Sequence, residues 1–305
     1  MQTSRIIFHI DMNSFFASCE MADNEDLIGK AVVIAHNDPF QRSIIVSPSY
    51  EARKYGIKAT MRVNEAFNLC KDIVVVEPNY QLYHYYSNAF RDYLLKITDK
   101  VEMASIDEAF VDVTDIVHGA DAIDLAHKIQ KDIYDIYKLP TSIGIAPNKF
   151  LAKMASDFKK PDLVHTLFSY EIEEKMWPLT VDNLFMCGQS SVEVLRKLEI
   201  LTIGDLARAN PKILSSHLKS HGLMLWEFAN GHDSSKVEPI PTQAKGIGNS
   251  TTVQQDIETG EDAYPVLMEL AESVGRRLRK ENQLAGMVSC EIKYNTFQSV
   301  SHQTP

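Results

Sequence analysis

The sequence predicts an α+β fold built on one ferredoxin-like sheet. Three observations lead there. Short apolar runs of strand length recur, among them Arg5-Ile6-Ile7-Phe8-His9-Ile10 and Thr141-Ser142-Ile143-Gly144-Ile145-Ala146. Two long stretches with helical spacing lie between them, Asn79 to Thr98 and Asp121 to Tyr137. With the hairpin that separates those helices, the order is strand, helix, hairpin, helix, strand, as a ferredoxin-like unit requires. Such a unit lays its helices over one face of an antiparallel sheet and leaves the other face open.

The elements follow in order. Residues 5–11 form the first strand and bring Asp11 to its end. Asn13 to Glu20 begins a helix with Phe15 and Phe16 side by side, so only one ring can point fully into the core. Residues 31–35 and 43–47 read as short buried strands. A helix opened by Ser47 and Pro48 and closed by Gly56 comes next. Tyr50 and Arg53, three apart, share one of its faces. A phenol, a guanidinium and a helix N-terminus suit a triphosphate, although a solvated amphipathic helix has the same spacing. Ile73 to Val76 is a strand stopped by Pro78, and Tyr80, Tyr83 and Tyr86 form a stripe on the following helix. Asn148 is placed to cap the helix after the strand 141–146.

Beyond about residue 168 the helices shorten. Leu184 to Gly188, Val192 to Leu198 and Ile203 to Ala207 read as a helix-hairpin-helix, which offers backbone N–H groups to phosphates without reading bases. A proline-bearing linker covers 233–244, with Pro239 and Pro241. A strand, a helix from about Asp262 to Glu281 and a strand from Met287 to Tyr294 complete the chain. That helix ends in Arg276, Arg277, Arg279 and Lys280. Helix C-termini favour cations for their own reasons.

Composition narrows the functional classes. The chain has 305 residues, which suggests two domains with room for smaller modules. Its 45% hydrophobic and 24% charged residues are ordinary for a globular protein. No apolar run reaches the length of a membrane span, and the first strand begins without a signal-peptide pattern, so a cytoplasmic location is expected. Cys19, Cys70, Cys187 and Cys290 lack metal-ligand spacing, consistent with reduced thiols. The formal net charge of −10 runs against general nucleic-acid affinity. Local basic clusters, chiefly Lys149, Lys153, Lys159 and Lys160, must supply any phosphate attraction.

The chemistry concentrates at Ala104-Ser105-Ile106-Asp107-Glu108-Ala109-Phe110. Two adjacent carboxylates stand at a hairpin turn, where both can converge on one point. If the strand ending in Asp11 is a sheet neighbour, three carboxylates meet at one edge. Hard oxygen ligands without His or Cys suit Mg²⁺, which completes its shell with water and substrate phosphates. That pattern points to phosphoryl transfer. Taken singly, an Asp-Glu turn is also ordinary solvated turn chemistry, and Asp11 an ordinary loop or cap residue.

Phe8-His9-Ile10-Asp11-Met12-Asn13-Ser14-Phe15-Phe16-Ala17 and Ser105-Ile106-Asp107-Glu108-Ala109-Phe110 resemble the two metal-binding motifs of Y-family (translesion) DNA polymerases, in the DinB-like, DNA polymerase IV and UmuC group. Ser49-Tyr50-Glu51-Ala52-Arg53-Lys54-Tyr55-Gly56 is similar to that family's nucleotide-gripping motif. Gly144 to Ser156 resembles its palm-closing motif, and Lys245 to Thr252 the opening of its little finger. The resemblance implies a palm (1–12 and 77–167), fingers (13–76), a helix-hairpin-helix thumb (168–232), a linker (233–244) and a partial α/β little finger (245–305, first half only). It assigns two Mg²⁺ ions to Asp11, Asp107, Glu108 and the Met12 carbonyl. Phe16 becomes the steric gate against a 2′-hydroxyl. Phe15, Phe16, Ser47, Tyr50, Arg53 and Lys160 become nucleotide contacts, and Gly188, Lys245, Gly246, Arg276 and Arg277 DNA contacts.

Two departures stand out. Thr60 and Arg62 replace the small residue and proline usual after the nucleotide-gripping helix, which bears on the lesion spectrum rather than the chemistry. The glycine-rich first hairpin of the thumb is reduced to Gly188-Gln189-Ser190-Ser191. The implied partners are primer-template DNA and dNTP. No sliding-clamp peptide or recombinase motif is legible. No exonuclease segment is apparent, so proofreading is not expected, and the resemblance implies low fidelity on undamaged DNA. Two other readings use the same residues: a nucleotidyl cyclase, which would turn over one nucleotide without a template, and a non-catalytic DNA-binding scaffold.

Overall fold

The structure, a computed structural model, describes residues 5–38, 41–117, 121–240, 244–253 and 255–305. Residues 1–4 of the expected palm and 241–243 of the expected linker, Pro241 among them, lie outside the described residues. The first elements are β1 (Ile7–Met12), α1 (Phe15–Asp23), β2 (Val32–Ile34), β3 (Ser47–Pro48), α2 (Tyr50–Arg53), α3 (Val63–Leu69) and β4 (Val74–Val76). Then come α4 (Tyr80–Leu94), β5 (Val101–Met103), β6 (Glu108–Asp112), α5 (Asp121–Tyr137), β7 (Thr141–Ala146), α6 (Lys149–Asp157) and β8 (Val164–Thr166). Short helices follow, among them α7 (Gln189–Lys197), α8 (Ile203–Arg208) and α9 (Pro211–Ala229), the last interrupted at Lys219.

β1 lies at the centre of a five-stranded sheet ordered β5-β6-β1-β7-β8. Every pairing is antiparallel except β7 with β8, which is parallel. Strand alternation sends Phe8 and Ile10, with Ala109, Val111, Ile143 and Ile145, into one core beside Tyr83, Phe90 and Leu94 of α4 and Ala126, Ile129 and Ile133 of α5. Ile7, Phe110 and Ala146 enter a second core with α6 and the apolar residues between Leu167 and Ala229. The sheet is therefore covered on both faces, which corrects the expected open face. The reason is visible in β1 itself. Its residues are buried at every position, the pattern of a strand enclosed on two sides rather than one.

The smaller sheet, β3-β2-β4, pairs β2 with β4 in parallel and with β3 antiparallel. Two boundaries here differ from expectation. The strand expected at 43–47 shrinks to Ser47–Pro48, because Ile45 spends its backbone groups on the 60–61 loop. It donates to the Met61 carbonyl at 2.9 Å and accepts from the Thr60 N–H at 2.8 Å. The next helix begins at Tyr50, with Ser49 as its cap rather than Ser47 and Pro48. The Ser49 hydroxyl accepts from Ala52 N at 3.2 Å, while Ser47–Pro48 pairs with β2. Gly56 closes the segment at φ +84°, a conformation that suits glycine. Helix α1 starts two residues later than expected, at Phe15, and α4 ends at Leu94 instead of Thr98. α5, β7 and the Asn148 cap stand where the sequence put them.

Packing divides the chain into two units, Met1–Pro241 and Thr242–Pro305. In the second, α10 (Gly260–Lys280) precedes an antiparallel hairpin of β9 (Val288–Lys293) and β10 (Ser299–Thr304). The strand expected ahead of this helix is not found among the described residues of 244–259. β9 pairs with the following segment instead, so Thr251, Thr252 and Val253, strand-formers by type, have no ladder to join. Among the described residues, no helix is long and apolar enough to cross a membrane.

Candidate active site

Register decides which side chains meet. β1 and β6 pair so that Asp11 lies directly across from Glu108. Alternation puts His9 and Asp11 on the same face as Glu108 and Phe110, the face against which α6 packs. The Met12 N–H donates to the Asp107 carbonyl at 3.0 Å, which pins the turn to the end of β1. Ser105 shapes that turn. Its hydroxyl donates to Asp107 Oδ1 at 2.6 Å and accepts from Glu108 N at 3.0 Å. Asn13 braces Asp11 from below: its Nδ2 donates to Asp11 Oδ1 at 3.3 Å. The Asn13 Oδ1 accepts from the Ser142 hydroxyl at 2.9 Å and from Asp162 N at 2.8 Å.

Two ammonium groups from the region of α6 stand over the carboxylates. Lys160 Nζ lies 2.6 Å from Asp11 Oδ2 and 2.7 Å from Asp157 Oδ1. Lys153 Nζ lies 2.8 Å from Glu108 Oε1, 3.3 Å from Asp157 and 3.9 Å from Asp11. Lys149 is held by Glu102 at 2.7 Å. The basic cluster seen in sequence is thus largely engaged with acids, which tertiary structure alone determines. Burial pushes the Asp11 carboxyl up to about 7, against the pull of Lys160 and helped by the neighbouring Glu108. Burial also pushes Glu108 up, but contacts with His9, Asp11 and Lys153 outweigh it and hold that carboxyl below the usual range. Asp107 is raised, first by burial and then by Glu108, with Ser105 opposing. Of the two facing carboxyls, Asp11 is therefore the harder to ionise and Glu108 the easier.

A cavity of about 270 Å³ opens beside them, lined by Asp11, Met12, Ser14, Phe15, Phe16, Val46, Ser47, Tyr50, Arg53, Asp107 and Lys160. It joins the end of β1 to the start of α2. Arg53 lies over the Tyr50 ring at 4.8 Å, and its Nε donates to the Pro48 carbonyl at 3.2 Å. Among the described residues the buried Tyr50 and Ser14 hydroxyls have no hydrogen-bond partner, so the cavity carries unsatisfied polar groups. Phe15 is buried in the core. Phe16 is half-buried and stacks on Tyr83, with ring centroids 4.2 Å apart, and meets the edge of Tyr80 at 6.1 Å.

Nearly all the metal and nucleotide residues singled out in the sequence line this one cavity. Glu108 does not; it sits beside it, engaged with Lys153 and His9. Ser14 and Val46 were not anticipated. Ser14 has φ 47°, a left-handed conformation that no pattern in the sequence announces for serine. The candidate DNA contacts are surface groups on other elements. Gly188 caps α7, Arg276 and Arg277 lie near the end of α10, and Lys245 and Gly246 are exposed. Arg277 donates to the Gly248 carbonyl at 2.7 Å within its own unit. Among the described residues, no three acidic, His or Cys side chains are gathered as a ready metal site. Asp107 turns toward Ser105, while Asp11 and Glu108 turn toward lysines. The donor set still fits a hard divalent cation, since carboxylate oxygens crowd one sheet edge and already bind cationic groups.

Residues 10–157 match the model of the impB/mucB/samB family, and residues 244–305 match that of the impB/mucB/samB family C-terminal domain. The chain is 40% identical over 298 residues to DNA polymerase IV of Oceanobacillus iheyensis, an alignment covering 97% of this chain and 71% of that one. It is 41% identical over 302 residues to DNA polymerase IV 1 of Bacillus subtilis, covering 99% and 73%. Among solved structures, a Y-family DNA polymerase chimera superposes with a TM-score of 0.89 at 27% identity, over 98% of this chain and 87% of that one. DinB from Sulfolobus solfataricus superposes at 0.72 with 26% identity over the same shares. On this evidence the chain belongs to the impB/mucB/samB family, and within it to the DinB-like Y-family DNA polymerases.

Proposed function

We propose that this protein is a template-directed DNA polymerase of the translesion type, adding dNTPs to a primer 3′-hydroxyl at the cavity between β1, α2 and the 104–108 turn. The observation that carries this reading is the cavity itself. It joins acidic residues at one sheet edge to cationic and hydroxyl groups that suit a triphosphate, including a Tyr50 hydroxyl with no partner among the described residues. Family membership supplies the substrate class: primer-template DNA and a nucleotide, with a divalent metal.

In this reading Asp11, Asp107, Glu108 and the Met12 carbonyl hold two Mg²⁺ ions. When bound, the ions promote ionisation of the 3′-hydroxyl and neutralise charge on the triphosphate. Tyr50, Arg53, Lys160 and Ser47 orient the triphosphate, a contribution of positioning and charge. Lys160 exchanges its carboxylate partners for phosphate oxygens. Phe16, backed by Tyr83, lies under the sugar and collides with a 2′-hydroxyl. We assign 1–12 and 77–167 to the palm, 13–76 to the fingers, 168–232 to the thumb, 233–244 to a linker and 245–305 to the little finger. Gly188, Lys245, Gly246, Arg276 and Arg277 serve the DNA backbone. The protein works in the cytoplasm, with low fidelity and no proofreading. The match of 244–305 to a family C-terminal domain weighs against a nucleotidyl cyclase, which has no use for that segment.

The test is primer extension on a lesion-free template with Mg²⁺ and four dNTPs, beside Asp107→Ala. Templated extension by the parent alone is expected. Extension by both would remove Asp107 from the chemistry. Tight DNA binding with no extension by either would favour the scaffold.

A further inference from the structure

We propose that His9 is a positioning residue for the active-site carboxylates, its Nε2–H facing Glu108 and its Nδ1 set against the Ser156 hydroxyl. The inference rests on the reading of Glu108 as a metal ligand. His9 lies on β1 two residues before Asp11 and is fully buried. Its Nδ1 is 2.7 Å from Ser156 Oγ, and its Nε2 is 3.5 Å from Glu108 Oε2. Among the described residues that buried Nε2 has no hydrogen-bond partner, and Glu108 is the carboxylate it approaches. The ring is held by Phe110, whose centroid is 4.8 Å away.

The contact with Ser156 exists because of Gly144. Gly144 is the β7 residue directly across from His9. A Cβ there would stand 2.0 Å from the Ala152 carbonyl oxygen and 2.5 Å from Ser156 N. Only a residue without a side chain lets α6 approach β7 closely enough to set the Ser156 hydroxyl over the imidazole.

Proton counting selects the tautomer. Ser156 Oγ has one hydrogen and two acceptors in reach, the Lys153 carbonyl at 2.8 Å and His9 Nδ1 at 2.7 Å. If the hydrogen goes to Lys153, His9 must donate from Nδ1. In the neutral ring its Nε2 lone pair then faces the Glu108 carboxylate oxygen 3.5 Å away, which is repulsive. If the hydrogen goes to Nδ1, the proton sits on Nε2 and both buried contacts are attractive. The imidazole then fixes Glu108 on the side opposite Lys153, whose ammonium lies 2.8 Å from the other carboxylate oxygen. Glu108 is thereby restrained from two directions. A ligand held by such outer contacts typically loses roughly 10- to 100-fold in metal affinity when they are removed.

The experiment uses the full chain and Mn²⁺ as the probe, with free Mn²⁺ followed by electron paramagnetic resonance at fixed pH. His9→Phe keeps a ring and loses the donor; affinity is expected to fall roughly 10- to 100-fold. His9→Gln, which restores an N–H at similar reach, should recover most of the loss. Nitrogen-15 NMR of labelled histidine, with His9 identified by its absence in the Gln variant, should show the Nε2–H tautomer in the parent. Unchanged Mn²⁺ affinity in His9→Phe, or an Nδ1–H tautomer in the parent, overturns the proposal. The NMR result decides even if the Phe variant does not fold. Glu108→Gln runs in parallel: if it leaves Mn²⁺ affinity intact, the ligand role of Glu108 fails, an outcome separate from failure at His9.

Discussion

Gly144→Ala is the most exacting probe of how the sheet positions this site. The added methyl would lie 2.0 Å from the Ala152 carbonyl oxygen and 2.5 Å from Ser156 N, both backbone atoms that no rotamer change can move. Relief requires α6 to retreat from β7 by about 1 Å, unpacking the Phe150, Leu151 and Ala155 side of the second core. Overpacking of this kind costs about 1–3 kcal/mol, and a backbone clash belongs at the upper end. The lower chain entropy of Ala returns roughly 0.5–1 kcal/mol, leaving a net loss of about 2 kcal/mol. In urea, with a slope of about 2 kcal/mol/M, the midpoint should fall by roughly 1 M. The extension rate should fall as well, because α6 carries Lys153 and Ser156. A midpoint shift below about 0.3 M together with an unchanged rate would refute the claim that this approach sets the site.

Three further outcomes follow from the geometry. Phe16→Ala should raise ribonucleotide use, read as the ratio of kcat/KM for NTP and dNTP, at a stability cost of about 1–2 kcal/mol for the lost stack on Tyr83; an unchanged ratio would reduce Phe16 to packing. Thr60 holds φ 72°, left-handed for a β-branched residue, so Thr60→Gly should gain about 1 kcal/mol in a denaturant melt, and a loss would mean the loop needs the threonine side chain. With the Asp11 carboxyl raised to about 7, a divalent cation binding there below that pH must displace a proton. Mn²⁺ affinity should therefore climb about tenfold per pH unit below that value and level off above it, and a flat profile from pH ~5.5 to ~8.5 would contradict the shift. The sign for stability is the reverse: this raised carboxyl supports the fold most at low pH and loses that contribution as pH rises through about 7.

The sequence made the site legible because its acids end apolar runs. Once Ile6 to Ile10 and Ala109 to Val113 are read as strands, Asp11 and Glu108 have few other places to be. α5 and the Asn148 cap were equally plain, the first from its spacing of Ile129 and Ile133, the second from an asparagine just before a helix. Other features were hidden for physical reasons. Two serines flank Pro48, and only the pairing of Ser47 with β2 hands the cap to Ser49. That Lys153 and Lys160 reach Glu108 and Asp11 depends on how closely α6 lies on the sheet, which local pattern does not encode. The two-sided burial of β1 was written in the consecutive apolar residues Ile6, Ile7 and Phe8, which point to both faces, and a ferredoxin-like template obscured it.

The pairing of Asp11 with Glu108 also limits how this chain can vary. Side chains alternate along β6, so a slip of β6 against β1 by one residue would exchange its two faces. Ala109 would then stand where the carboxylate belongs, and the acid would enter the apolar core beneath α4 and α5. The ladder between β1 and β6 therefore guards the chemistry as much as the acids themselves: five paired positions, Ile7 to Asp11 against Asp112 to Glu108, resist a slip that would leave the motif spelled correctly and the carboxylate on the wrong side of the sheet.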